Sequence, residues 1–313
     1  MKTPWSPLKK HSHVALVCTG SPCISPDHPG ETQQYLEENY HLNIRFANET
    51  ADKVPAIKRA EVFLDYLFDN NIEMIWSLRG GEGTADILPY IDQEREKISM
   101  VQPKILMGYS DFTPMLLYFA QHYGWKTIHG PAALLLSQKR ITSASEKTTM
   151  DLLYGVDAPI IYDHLIPLNS AALANPKIQS QITGGSLSLT HVSLKDIWEI
   201  DMGNKIVLLE DVGEKTHKIS RMLKHLHRIG KFSSAKALIF GDFFEDSPAQ
   251  TAEEKEENRA SMQRLLKWFA NELECPVFQT DLFGHGEKNT PFVFNTNVLL
   301  ENQKLIFDFP TPA

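Results

Sequence analysis

Ser110 and Asp111 stand together in "LMGYSDFT", between the apolar run Ile105–Met107 and a second apolar run that begins at Met115. Strand, sharp turn with serine, then helix is the geometry of a nucleophile elbow, which lifts the hydroxyl above a sheet with a helix N-terminus beneath it. The amide of the following residue, here Asp111, can then point at the oxyanion formed when the serine attacks a carbonyl. A plain helix cap at Ser110 or Asp111 satisfies the same residue types. A serine hydroxyl is a poor nucleophile without a base to take its proton. Of the twelve histidines, His285 in "TDLFGHGEKNTP" follows an apolar segment and is flanked by glycines, the position of a strand-end loop. His129 in "KTIHGP" competes, since it also closes a strand. The base must in turn be oriented, usually by a carboxylate. Glu210 ends the strongly apolar run of "KIVLLEDVGEK", with Asp211 and Glu214 as rivals.

A second group lies in "WSLRGGEGTADI", Trp76 to Ile87. Gly80, Gly81 and Gly83 would let backbone amides approach a substrate oxygen, and Arg79 offers a fixed fork for a carboxylate. The same glycines could cradle a phosphate, but the stretch lacks the Lys-Ser/Thr of a P-loop and the spacing of a dinucleotide fingerprint. The simpler alternative is a glycine turn that needs positive φ. No metal or other cofactor is expected. Cys18, Cys23 and Cys275 form no zinc or redox spacing and read as idle thiols. His217, His225 and His227 lie in a Lys/Arg-rich stretch without carboxylates at ligand spacing and read as a solvated helix face.

These residues need a scaffold, and the first half of the chain supplies one. "HVALVCTGSP", "EMIWSLRGGEGT", "KILMG" and "KTIHGP" read as strands, and "PAIKRAEVFLDYLFDNN" and "SDFTPMLLYFAQHYG" as helices. Such alternation implies an α/β fold with a parallel sheet covered by helices on both faces. Ligands of such sheets bind beyond the carboxyl ends of the strands, where the turns at Gly20–Ser21, Arg79–Gly81 and Tyr109–Asp111 would gather. Periodicity fades after Gly155. We expect an N-terminal domain over 1–155, a linker over 156–180 and a C-terminal domain over 181–313. The latter holds four strand-like runs, two helices and a strand-rich tail. The acidic run Glu253–Glu257 suits the first turns of its second helix.

The chain has 313 residues, 42% of them hydrophobic, 22% charged, with a formal charge of −8. That balance describes a globular protein and argues against a nucleic-acid binder. No run approaches the length of a membrane span, and Val14–Cys18 is too short for a signal-peptide core. A cytoplasmic protein without membrane partners is expected.

Taken in order, "RGGEGT", "GYSDFT", "LLEDVGEKTHKISRML" and "FGHGEKN" resemble the signature blocks of the LD-carboxypeptidases, a family of serine peptidases that includes the muramoyltetrapeptide carboxypeptidases. "TGGSLSLTHVSL" resembles a further block between serine and glutamate. The likeness runs from about Val14 to beyond Pro291, nearly the whole chain. It implies Ser110 as nucleophile, His285 as base, Glu210 as its orienting acid, and the amides of Gly81 and Asp111 as oxyanion hole. It also implies an N-terminal flavodoxin-like or glutamine-amidotransferase-like domain, a smaller β-rich C-terminal domain, a site in the cleft between them, and a homodimer.

The activity implied is release of the terminal D-alanine from murein tetrapeptides, by cleavage of an L,D amide bond, in cytoplasmic cell-wall recycling. A microcin-immunity type, cleaving peptidyl- or aminoacyl-nucleotides, is the alternative within the family. The spacing of about 100 residues between Ser110 and Glu210 favours the murein type. A non-catalytic small-ligand binder with an anion in the Arg79–Gly83 loop is the alternative outside it. Three positions depart from the family pattern: Glu82 where an aromatic is frequent, Ser186 where asparagine is frequent, and "TPFVFN" after His285. Glu82 near a cleft would favour a substrate amine, such as the free end of diaminopimelate; it fits an exposed loop equally well.

Overall fold

Five strands of the first half, β1 (His13–Val17), β2 (Asn43–Phe46), β3 (Ile72–Ser77), β4 (Ile105–Gly108) and β5 (Ile128–His129), pair in parallel. Their order, β2-β1-β3-β4-β5, is that of the flavodoxin-like doubly wound sheet. The coordinates are a computed structural model that describes residues 6–21, 25–47, 54–156, 158–244 and 250–307. Trp76, Ile75, Met74 and Ile105–Met107 are wholly buried, as central strands covered on both faces must be. Helix His28–Tyr40 lies with the helices after β5, through Thr32 to Ser137 (3.0 Å) and Tyr35 to Glu146 (2.6 Å). Helix Ala56–Phe68 instead meets Thr113–Tyr123, with the Phe63 and Phe119 rings 5.9 Å apart. The chain reverses direction between β1 and β3, so right-handed crossovers send these two sets to opposite faces. Carboxyl ends on either side of that reversal are where such sheets hold ligands.

The rest of the chain forms β6 (Ile161–Tyr162), β7 (Ile166–Pro167), β8 (Ile178–Ser186), β9 (Ile206–Val212), β10 (Ala237–Phe244), β11 (Val277–Gln279), β12 (Phe292–Val293), β13 (Asn297–Glu301) and β14 (Lys304–Phe307). β12 pairs antiparallel with β5 and so closes the first sheet. The other eight form one sheet ordered β6-β14-β13-β8-β9-β10-β11-β7, with β8 to β11 parallel and the outer strands antiparallel. β6 and β7 occupy opposite edges although only residues 163–165 separate them. So short a tether cannot span an open eight-stranded sheet, and the sheet must curl on itself.

Two compact units result: one runs to Ala158 and takes in Thr290–Phe294, the other is Pro159–Asn289 continued from Asn295. Two boundaries differ from the sequence-based expectation. Residues expected as a linker over 156–180 carry β6, β7 and the helix Ser170–Leu173, all part of the second unit from Pro159 on. Strands of two residues show no periodicity, and prolines are at home on sheet edges. The anchor there is Asn169, which accepts from Ala172 N (3.0 Å) and donates to the carbonyls of Ala270 (3.0 Å) and Cys275 (2.9 Å). In turn Thr290–Phe294, expected in the C-terminal domain, belongs to the first unit because β12 pairs there.

Candidate active site

In the first unit the chain leaves β4 through an extended Tyr109 and turns at Ser110, whose φ of 54° lies in the left-handed region. A non-glycine residue there is strained and must be held by its surroundings. The turn Ser110–Phe112 feeds helix Thr113–Tyr123, and neither helical start takes a side-chain cap. The capping alternative for Ser110 and Asp111 therefore does not hold. The Asp111 carboxylate is buried and points elsewhere, accepting from Gly83 N (3.2 Å), Thr84 N (3.1 Å) and Thr84 Oγ1 (2.7 Å). Burial pushes its pKa up, while those donors and Arg59 oppose the rise.

The glycine loop is thereby tied to the serine turn. A Cβ on Gly80 would lie 3.1 Å from Ser110 Oγ, so the loop backbone passes directly beside the hydroxyl. Gly81 has φ +149°, and a Cβ there would come 2.8 Å from Ser21 Cβ. Ser21 Oγ accepts from Glu82 N (3.0 Å), and Ser77 Oγ donates to Arg79 O (2.7 Å). Arg59, which sequence reasoning passed over, donates to the carbonyls of Thr19, Gly83 (3.0 Å) and Val54 (3.2 Å) and so joins the loops after β1 and β3. Arg79 is half-buried and donates to Ser21 O (3.4 Å), whereas Glu82 is exposed. Gly80, Gly81, Arg79, Ser110 and Asp111 thus form one group.

In the second unit β9 carries Glu210 and Asp211, both buried, on opposite faces of one strand. Glu210 Oε2 lies 2.6 Å from His285 Nδ1, and the two side chains are 0% and 13% exposed. Burial alone would lower the His285 pKa. The charge and hydrogen bond of Glu210, with Asp211 and Asp242 adding to them, carry it above the usual value. Asp211 accepts from Ser188 N (2.6 Å) at the start of helix Leu187–Val192 and from Ser186 Oγ (3.4 Å). Burial first, then the neighbouring Glu210, raises its pKa to about 6. Glu214 pairs with Lys218 at 3.0 Å. Of the three acids, Glu210 is the one hydrogen-bonded to His285.

His129 is fully buried in the first unit, stacked on Phe292 at 4.4 Å and 10°. His225 is not simply solvated: its Nδ1 lies 2.8 Å from His191 Nε2, while His217 and His227 are exposed. Among the described residues no group of three or more His, Cys, Asp or Glu could hold a metal. Cys18 and Cys275 are half-buried, burial pushes the Cys275 thiol up to about 11, and Cys23 lies outside the described residues. No described helix is long and apolar enough to cross a membrane.

Asp242 also escaped sequence reasoning. It sits where β10 gains a residue against β9, in a bulge between Phe240 and Phe243. The signal was present in "ALIFGDFF", an apolar strand interrupted by Gly-Asp.

The profile of the LD-carboxypeptidase N-terminal domain matches residues 14–130, and that of its C-terminal domain matches residues 179–300. A putative carboxypeptidase of Rickettsia conorii is 34% identical over 236 residues, covering 74% of this chain and 69% of the relative. A murein tetrapeptide carboxypeptidase of Pseudomonas aeruginosa is 26% identical over 314 residues, 96% of each chain. Among solved structures, a muramoyltetrapeptide carboxypeptidase from Oxalobacter formigenes superposes with a TM-score of 0.78 at 19% identity, covering 96% of this chain and 100% of the other. A microcin C7 self-immunity protein in complex with aspartyl sulfamoyl adenosine gives 0.80 at 16% identity, covering 99% of each. The last two establish a shared fold. With both domain profiles matched in order, the chain belongs to the LD-carboxypeptidase family of serine-type carboxypeptidases.

Proposed function

We propose that the protein is a cytoplasmic, homodimeric serine carboxypeptidase that releases the terminal D-alanine of murein tetrapeptides by hydrolysing its L,D amide bond. The observation that carries the proposal is the 2.6 Å contact between Glu210 Oε2 and His285 Nδ1, the hydrogen bond by which an acid orients a catalytic base. In the proposed reaction Nε2 takes the Ser110 proton while Oγ attacks the carbonyl, and the amides of Gly81 and Asp111 receive the oxyanion. The imidazolium then protonates the departing amine of D-alanine. Water, deprotonated by the same nitrogen, hydrolyses the acyl-enzyme and restores Ser110. Glu210 stays ionised throughout and holds the ring in the required tautomer. The left-handed turn at Ser110 suits the strained elbow of a nucleophile, and Gly80 suits it because a side chain there would crowd Oγ.

Support for a murein peptide as substrate comes from the Pseudomonas aeruginosa relative, whose alignment spans both chains almost end to end. Arg79 is proposed to brace the oxyanion loop through Ser21 O, with its positive charge beside that loop suited to a substrate carboxylate. The deciding experiment is mass spectrometry of a mixed muropeptide digest. Tetrapeptides should lose one alanine, pentapeptides should remain, and Ser110→Ala should leave both untouched. Cleavage of an aminoacyl sulfamoyl nucleotide with intact tetrapeptides would transfer the protein to the microcin-immunity reading. Light scattering at micromolar concentration tests the dimer, which a monomer mass would exclude.

A further inference from the structure

The loop that carries His285 is built on a single residue of the neighbouring strand. Asp242 N donates to Phe283 O (3.0 Å) and Asp242 Oδ2 accepts from Gly286 N (3.2 Å), so residues on both sides of the histidine are bonded to it. The glycines flanking His285 have the same cause. A Cβ on Gly284, where φ is +125°, would come 2.9 Å from Asp242 Cβ, and one on Gly286 would come 2.4 Å from Asp242 Oδ2. The loop backbone lies flat on Asp242, and side chains at either position would lift it off. The bulge in β10 supplies the displacement from regular pairing that such a seat needs. Beneath the loop Phe283 stacks on the buried Tyr162 at 5.8 Å, and the buried Asn289 donates to Gly284 O (2.9 Å).

We infer that Asp242 is a positioning residue for His285: it seats the loop that aims the imidazole at Glu210 and adds a further carboxylate to the field around the ring. The inference rests on the proposed role of His285 as the base. The carboxylates whose charge acts on the ring are Glu210, which contacts it, Asp211 from the other face of β9, and Asp242 from β10, with Asp281 acting in turn on Asp242. Burial, then Asp281, raises the Asp242 pKa to about 7, so its charge is present in full only on the alkaline side of neutrality.

Two substitutions separate seat from charge. Asp242→Asn keeps an oxygen for Gly286 N–H but removes the charge; Asp242→Ala removes both. The ring is read directly by nitrogen-15 NMR of His285 in the full chain carrying Ser110→Ala, at pH 5 to 9. Asp242→Asn should preserve the Nδ1–H signal of the Glu210 contact and shift the His285 titration to lower pH. Asp242→Ala should weaken or abolish that signal and, with Ser110 present, lower kcat about 10- to 100-fold with little change in KM. Should the alanine variant fail to fold, Asp242→Asn alone decides. A His285 titration unchanged by Asp242→Asn would overturn the inference, as would an alanine variant with native kcat and an intact Nδ1–H signal. Because NMR reads the ring and not turnover, a wild-type protein inert toward muropeptides would overturn the proposed function while leaving this test in force.

Discussion

Glu210 and Asp211 are adjacent acids with opposite assignments, and the strand decides between them. Alternation along β9 turns Glu210 toward His285 and Asp211 toward Ser188. Glu210→Gln should therefore lower kcat by about three to four orders of magnitude, through lost charge and a misplaced tautomer. Asp211→Asn should reduce it far less, provided the variant folds. Steady-state kinetics on a tetrapeptide substrate compares them, and the reverse ranking would sink the assignment of Glu210. The proposed base, His285, must be neutral to accept a proton, and it holds its proton more tightly than a free imidazole. The acid limb of kcat/KM should accordingly have its midpoint above 6.5, the ordinary histidine value.

The same shifts set the pH dependence of stability. Asp211 and Asp242 titrate near 6 and 7 in the folded protein against 3.8 as free carboxyls. From about pH 4 to 7 the native state thus binds protons that the unfolded chain has released, and their contribution to stability falls as pH rises. The raised His285 pKa acts in the same direction. Its stabilisation is complete below the unfolded value and lost as pH rises through the folded one. The fall in Tm between pH 5 and 8 should be smaller in Asp242→Asn than in the wild type. Equal slopes in differential scanning calorimetry would contradict this.

At the scale of elements, the strand–helix alternation of the first half was legible because its runs are long and regularly patterned. β3, β4 and helices Ala56–Phe68 and Thr113–Tyr123 fall where "EMIWS", "KILMG" and the apolar periodicities lie. Helix Ala252–Ala270 starts at a capping box between Thr251 and Glu254, within the acidic run expected to open it. "TGGSLSLTHVSL" has a physical reason that spacing alone does not show. Gly184, with φ +152°, pairs with Leu208 so closely that a Cβ would lie 1.8 Å from the Leu208 carbonyl oxygen. The pairing continues from Ser186 to Glu210, so β8 sets the register of the strand that carries the acid. Gly184→Ala should force β8 and β9 apart, costing at least about 2 kcal/mol and lowering activity as well. Urea denaturation measures the first effect, and a change below 0.5 kcal/mol, about the level of an ordinary surface substitution, would show that the strands can yield.

At the scale of the whole molecule, the two units are interleaved in sequence near the C-terminus. β12 completes the first sheet, while β13 and β14 complete one side of the second. A chain ending at Asn289 would lose strands from both sheets and expose the β5 and β8 edges. Hydrogen exchange should show lost protection in both units of such a chain; loss confined to one would mean that the tail strands are dispensable to the other. The proposed chemistry draws on both units and on no metal, so turnover of the full chain should survive EDTA. Loss of activity restored by zinc would overturn the serine mechanism.

By itself the sequence determined what depends on local pattern: the parallel α/β first half, the turn after β4 that holds Ser110, and a glycine loop after β3. Each is dictated by periodicity and turn chemistry within about a dozen residues. The signature blocks extended that to the family. What the tertiary structure alone decided are the pairings of residues far apart in the chain. Glu210 meets His285 across 75 positions, and Asp242 holds Gly286 across 44. No local pattern encodes such separations, because they follow from which strands become neighbours in a sheet. β6 and β7 were missed for the same reason: two-residue strands are made by the edges they pair with, not by any preference of their own.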